Sequence, residues 1–319
     1  MVLCIFGMLD HATLGVVALV CHRFWRLSKD DSLWPRLDLG GRYLRPDVLG
    51  YVIQRGTRIL RLASTKICSP VFRDTRPVLE DFVCRLEYLD LSECNMSEED
   101  MELFLSKCRH LKKLSLESCE LSLGVCSEVA NNPNLVTLNL CLCGNLTAEG
   151  IDRILTNCKS LRALNVGWAH LSREAIDSLV KNLTDNIEQL NLSGSQNVIN
   201  DRDLIQLMSR CHKLTELDVS DCLELTTAIS SHIVRHLPKL RSISISRCFR
   251  INIQQFLSEV CRMRRLERVN AFRHIAADNV SSLEAATPNI RYNQEPFSTI
   301  ARPTVGIRRT SIWQMRCRE

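Results

Sequence analysis

Leu86-Glu87-Tyr88-Leu89-Asp90-Leu91-Ser92-Glu93-Cys94 is the stretch on which the reading of this chain turns. Apolar residues stand at its first, fourth and sixth places and a cysteine at its ninth, and the phrase returns seven more times. The copies are Leu111/Leu114/Leu116/Cys119, Leu135/Leu138/Leu140/Cys143, Leu161/Leu164/Val166/Ala169 and Ile187/Leu190/Leu192/Ser195, then Leu214/Leu217/Val219/Cys222, Leu240/Ile243/Ile245/Cys248 and Leu266/Val269/Ala271/His274. Each begins about 26 residues after the last, a register that chance does not hold over so many turns. The middle of each copy alternates apolar and polar, which is the pattern of a short strand. The rest of each period is helical: Ile151, Ile154 and Leu155 fall on one helix face, as do Ile176, Leu179 and Val180. One repeat cannot bury its own apolar side, so the repeats fold only as a stack.

The period and the phrase are those of leucine-rich repeats. The expected fold is therefore α/β: a horseshoe solenoid with a parallel sheet on its concave side and helices on the outside. The expected organisation is a short helical module over 1–36, the solenoid over 37–292 and a tail over 293–319 that docks on the repeats. Leu37 and Leu39 lead into the array, Ile59 and Leu62 read as a degenerate first repeat, 69–77 as a loop, and Asn289-Ile290-Arg291-Tyr292 as a truncated last strand.

Composition narrows the function classes. The chain has 319 residues, a net charge of +5 and 24% charged residues. No apolar run approaches the roughly 18 residues of a membrane span, and no membrane association is expected. The 16 cysteines contain no Cys-x-x-Cys pair. Cys94, Cys119, Cys143, Cys222 and Cys248 share one repeat position, and Cys108, Cys158 and Cys211 stand three residues before a strand phrase. They read as small core residues whose thiols donate weakly to backbone carbonyls, not as ligands, so neither metal nor cofactor is expected. So many reduced thiols suit the nucleus and cytoplasm. His22, His110, His170 and His212 are scattered, no glycine-rich phosphate loop is present, and the chain is expected not to be an enzyme.

The strand residues that point away from the helices are small and polar: Asp90, Ser115, Asn139, Asn165, Asn191, Asp218 and Ser244. They are expected to be solvated. The next residues form a rim, where Trp168, Asp221 and Arg247 stand out among residues such as Glu93, Ser118 and Leu142. Exposed Trp and Arg are the types that anchor interfaces. The tail breaks the repeat at Pro296, Pro303 and Gly306, yet carries Phe297, Ile300, Ile312 and Trp313, too apolar for a disordered end.

The N-terminal residues Ile5-Phe6, Leu9, Leu14, Val20-Cys21, Arg23 and Ser32-Leu33-Trp34 resemble an F-box. Phe24 stands where a tryptophan is common, and the usual opening Leu-Pro-Asp/Glu turn falls before Met1, so a shortened form of a longer protein is expected. With Leu190-Asn191-Leu192-Ser193-Gly194, Ser244-Ile245-Ser246-Arg247-Cys248 and Phe297-Ser298-Thr299-Ile300-Ala301-Arg302-Pro303-Thr304-Val305-Gly306, the chain is similar to the S-phase kinase-associated family of F-box/leucine-rich-repeat proteins. That resemblance implies a non-catalytic substrate receptor of a Skp–cullin–F-box ubiquitin ligase, recruiting phosphorylated cell-cycle proteins such as a cyclin-dependent kinase inhibitor. It implies docking of a Skp-type adaptor of the cullin–RING ligase through Leu3, Phe6, Leu9, Leu14, Val20 and Trp34. It also implies a small cyclin-kinase-subunit accessory protein and substrate held by Trp168, Asp221, Arg247 and Phe297. Gln196 stands where the family has an arginine, and can hydrogen-bond a carboxylate without bringing charge. The alternatives are a protein-binding scaffold with no ligase role, and nucleic-acid binding through Arg262, Arg264, Arg265, Arg268, Arg302, Arg308 and Arg309, whose lack of interleaved aromatics argues against it.

Overall fold

Several repeats close their strand with the same local device. The last strand residue is Asp or Asn, and its side chain accepts a hydrogen bond from the backbone N–H two residues on. Asp90 Oδ1 takes Ser92 N–H at 3.0 Å, Asn139 takes Cys141 at 3.1 Å, Asn165 takes Gly167 at 3.0 Å, Asn191 takes Ser193 at 2.8 Å and Asp218 takes Ser220 at 2.9 Å. Asn and Asp favour such turns because a short side chain can replace a backbone acceptor. The computed structural model describes residues 1–72, 82–304 and 311–316. Pro77 of the expected 69–77 loop, and Val305, Gly306, Arg308 and Arg309, lie outside the described residues.

The chain divides into two compact units, Met1–Cys119 with Arg302–Glu319, and Glu120–Ala301. In the first, the strands Arg36–Asp38, Ile59–Arg61, Tyr88–Asp90 and Lys113–Ser115 pair in parallel and in that order. Leu37, Leu60, Leu89 and Leu114 stand in one register column. The second unit continues the pattern from Thr137–Asn139 to Arg291–Tyr292, with Leu138, Leu164, Leu190, Leu217, Ile243, Val269 and Tyr292 in one column. Every side chain of both columns is buried. This is the α/β leucine-rich-repeat fold, and both the lead-in at Leu37 and the truncated strand at Arg291–Tyr292 belong to it.

The return segments are helices with a polar start. Ser97, Ser122, Thr147, Ser172, Asn200 and Asn252 each accept from the backbone N–H three residues on, at the starts of Glu98–Leu105, Leu123–Ala130, Ala148–Asn157, Arg173–Asn182, Asp201–Met208 and Ile253–Val260. Such a cap satisfies one of the four orphan donors of a helix start. The faces through Ile151, Ile154 and Leu155, and through Ile176, Leu179 and Val180, are buried against the strands.

The expectation that the polar strand face is solvated is corrected. Asp90, Ser115, Asn139, Asn165, Asn191 and Asp218 are all buried, although polar side chains are rarely so. The Asp and Asn side chains each turn an oxygen back into the turn, Ser115 Oγ meets Ser92 Oγ at 2.8 Å, Asn191 Nδ2 donates to Asn165 Oδ1 at 2.9 Å, and the tail packs over this face. In the second unit Glu295 N–H reaches Asn270 Oδ1 at 3.3 Å, Asn165 Nδ2 donates to the Ile300 carbonyl at 3.0 Å, and Ile300 and Ala301 pack on Ala163. In the first, Arg302 pairs with Glu117 at 3.0 Å and Ile312 is buried against Ile59 beside Tyr88, Trp313 and Met315. Of the basic residues, Arg262, Arg264 and Arg265 follow the helix Ile253–Val260, and Arg268 opens a strand, paired with Glu216 at 3.6 Å.

Candidate functional site: an apolar helical face and a strained rim

At the N-terminus three short helices, Val2–Phe6, His11–Val17 and His22–Ser28, close a core on Phe6, Leu14 and Leu33. Phe6 meets Phe24 edge to face, with ring centroids 5.3 Å apart, an arrangement worth about 0.5–1.5 kcal/mol beyond the area buried. Asp10 caps the second helix by accepting from Thr13 N–H at 2.7 Å, a bond that also lowers its carboxyl pKa. Trp34 stacks on His11 at 4.7 Å and donates its indole N–H to the Ser28 carbonyl at 2.7 Å.

This geometry corrects the residues expected to face an adaptor. Phe6 and Leu14 are interior, Leu3, Leu9 and Trp34 pack partly buried against them, and only Val20 of the six is exposed. The module spends Phe6, Leu14 and Leu33 on its own core, because three helices of five to seven residues have no other source of cohesion. What it presents to water instead is Ile5, Met8, Val16, Leu19 and Val20. The signal was available in the sequence: Ile5 and Val16 fall off the helix faces that carry Phe6 and Leu14, and Met8, Leu19 and Val20 come just after the ends of those helices.

In the second unit the rim residues share a backbone state. Leu142, Trp168, Gly194, Asp221, Arg247 and Arg273 all have φ between +57° and +76°. A left-handed residue at each strand end reverses the chain, and for a residue with a Cβ it costs about 1–2 kcal/mol. Gly194 is the one member without that cost, and it has a second reason to be glycine. A Cβ there would lie 2.4 Å from the Trp168 ring. Trp168 is therefore not left standing in water as expected. Its indole lies half-buried on the turn of the next repeat.

Asp221 and Arg247 are neighbours on this rim, and they engage each other. The guanidinium holds both carboxylate oxygens through Nε and Nη2, a bidentate pair that raises the arginine's pKa further. Asp221 is buried while the Arg247 side chain is 40% exposed, so the pair offers one positive edge rather than two independent charges. Gln196 is exposed, and its backbone carbonyl accepts from Leu223 N–H at 2.9 Å. Phe297 is 77% exposed, beside Ser298, whose side chain hydrogen-bonds buried Asp218. Phe249, 66% exposed and next to His274 at 6.1 Å between ring centroids, was missed. It follows the repeat cysteine Cys248, a position the repeat phrase does not specify.

The repeat cysteines fill the slot expected of them. Cys119 donates to the Leu91 carbonyl at 3.2 Å, Cys222 to Leu192 at 3.5 Å and Cys248 to Val219 at 3.1 Å, each reaching the preceding repeat. Burial pushes the thiols of Cys94, Cys158, Cys211 and Cys248 up to about 12, so they stay protonated and poor as nucleophiles or ligands.

Comparison with known proteins joins these parts. Residues 1–40 match the F-box-like family and residues 47–319 match the SKP2 LRR domain. F-box/LRR-repeat protein 4 of Bos taurus is 30% identical over 139 residues, 41% of this chain and 22% of that protein. The chain thus spans about a fifth of the length of that relative. A chain in the crystal structure of the yeast Rad7 and Elc1 complex is similar in fold, with a TM-score of 0.52 at 17% identity over 79% of this chain and 68% of that one. With both matches covering the helical module and the repeats in turn, the chain belongs to the SKP2-type F-box/leucine-rich-repeat family.

Proposed function

We propose that the chain is the substrate-recognition subunit of a Skp–cullin–F-box ubiquitin ligase, working in the nucleus and cytoplasm. The observation that carries this reading is the exposed apolar face of Ile5, Met8, Val16, Leu19 and Val20 on an F-box-like module joined to an SKP2-type repeat domain. A module with so little core does not leave that much aliphatic surface in water without a partner. A Skp-type adaptor would cover it. The repeats would then hold a phosphorylated cell-cycle regulator, such as a cyclin-dependent kinase inhibitor, close to the charged ubiquitin-conjugating enzyme. Such a receptor needs no catalytic residue of its own, because proximity supplies the rate.

On the rim, Trp168 on its glycine turn and exposed Phe297 would seat a small cyclin-kinase-subunit protein. The outer edge of Arg247, held in place by Asp221, would face an acidic group of the substrate, with neutral Gln196 beside it as a hydrogen-bonding contact. The test is to titrate the accessory protein alone and then a phosphopeptide in its presence. Trp168→Ala and Phe297→Ala are expected to weaken the first titration at least tenfold, about 1.4 kcal/mol or more. Arg247→Ala is expected to weaken chiefly the second. Unchanged affinities in all three variants would mean that the rim serves another partner.

A further inference from the structure

Among the described cysteines, Cys84 and Cys108 are placed differently from the rest. They sit opposite each other as an isolated parallel bridge in the first unit, with Cys84 N–H on the Lys107 carbonyl at 2.8 Å, and their sulfurs are 3.5 Å apart. Further along the chain the same slot never holds two cysteines in succession: Cys158 faces the Asn132 carbonyl at 3.5 Å and Cys211 the Thr184 carbonyl at 3.9 Å. The other cysteine column points its thiols at carbonyls of the preceding repeat.

We propose that Cys84 and Cys108 are a reversible redox site, at which a peroxide installs a disulfide between two neighbouring repeats. Paired positions on adjacent parallel strands are about 4.8 Å apart, inside the Cα separation of about 4.4–6.8 Å that a disulfide spans. Closing the sulfurs from 3.5 Å to about 2.05 Å exchanges the weak bond of the Cys108 thiol to the Phe104 carbonyl at 3.5 Å for a covalent one. The electrostatics agree. The hydrogen bond shared with Cys108, aided by the Arg109 charge, lowers the Cys84 thiol pKa despite burial, whereas burial is the main cause that pushes Cys94 and Cys248 up to about 12. A lowered pKa enlarges the thiolate fraction, and the thiolate is the reactive form.

The chemistry balances with peroxide as the oxidant. The Cys84 thiolate attacks one peroxide oxygen, the O–O bond breaks, and sulfenic acid and hydroxide form. The Cys108 sulfur then attacks the sulfenic sulfur, the S–O bond breaks, and water leaves with the Cys108 proton. Two thiols and one hydrogen peroxide become one disulfide and two waters. A dithiol reductant reverses the step by exchange. The loop so closed contains the helix Glu98–Leu105, and closing it restricts the unfolded chain.

The test uses the whole native protein and hydrogen peroxide, followed by alkylation, digestion and mass spectrometry. The expected result is that the Cys84–Cys108 linked peptide is the first disulfide to form, that dithiothreitol removes it, and that the urea midpoint of the oxidised protein rises by roughly half a molar or more. Cys84→Ala should lose both effects and Cys94→Ala should keep both. Should exposed Cys4 and Cys21 oxidise while no Cys84–Cys108 peptide appears, or should that peptide form only in denaturant, the proposal is overturned.

Discussion

Asp218 holds a carboxylate where the neighbouring repeats hold the neutral Asn191 and Ser244. Burial raises its pKa above the ordinary value of 3.8, against the hydrogen bonds from Ser220 and Ser298. A group whose folded pKa is raised contributes stability that is complete below the unfolded value and is lost as pH rises through the folded one. Asp218→Asn keeps the acceptor for Ser220 N–H and removes the charge. The variant is expected to be more stable than the parent by about 1 kcal/mol at pH 7, with the gap shrinking as pH falls toward 4; urea titrations at several pH values measure it, and a gap independent of pH would contradict the burial argument. Gly194 gives a second expectation. Alanine there meets both positive φ and the Trp168 ring, and is expected to cost about 2–3 kcal/mol. Gly41→Ala, with φ +68° and open space around it, isolates the backbone strain at about 1 kcal/mol. Equal costs in urea would remove the indole contact from the account. At this scale the sequence named Trp168, Asp221 and Arg247 as a shared position, because the repeat register numbers them. It did not show that Arg247 grips Asp221 or that Trp168 reclines on Gly194, since both depend on the left-handed turn and the spacing between repeats.

The strands and return helices were legible from periodicity, because apolar positions recur with the strand and helix periods and the stack leaves no other way to bury them. The caps were legible too, and were overlooked: Ser97, Ser122, Thr147 and Ser172 recur at intervals of 25 residues just ahead of each helix. Asn200 makes the fullest of these, a capping box in which Asp203 also accepts from Asn200 N–H at 3.0 Å. Arg173 binds the same Asp203 from the preceding helix. Asn200→Ala is expected to destabilise the second unit by about 1 kcal/mol and to speed amide exchange in the first turn of Asp201–Met208 ahead of its neighbours. Uniform exchange along that helix would contradict a local capping role. The tail was harder to place. Its apolar residues announced docking, but it has no period, so the polar strand face it covers could not be told from a solvated one. Buried Asn165, bonded to the Ile300 carbonyl, is the residue where that distinction shows.

For the molecule as a whole, the proposed function gives the F-box-like module and the repeats separate tasks. The module's interior was read from sequence as its surface, because Phe6 and Leu14 are its most apolar residues and helices this short need them inside. The face left outward is made of smaller aliphatic residues around Val16, Leu19 and Val20. The central claim is that this face docks an adaptor, and it is tested by the affinity of the purified chain for a Skp-type adaptor, measured by calorimetry for the parent, Val20→Asp and Trp168→Ala. The account predicts binding by the parent, a loss of at least tenfold in Val20→Asp, as for a charge forced into a desolvated apolar contact, and parent-like affinity in Trp168→Ala. Absence of binding by the parent, or equal affinity in Val20→Asp, would contradict it.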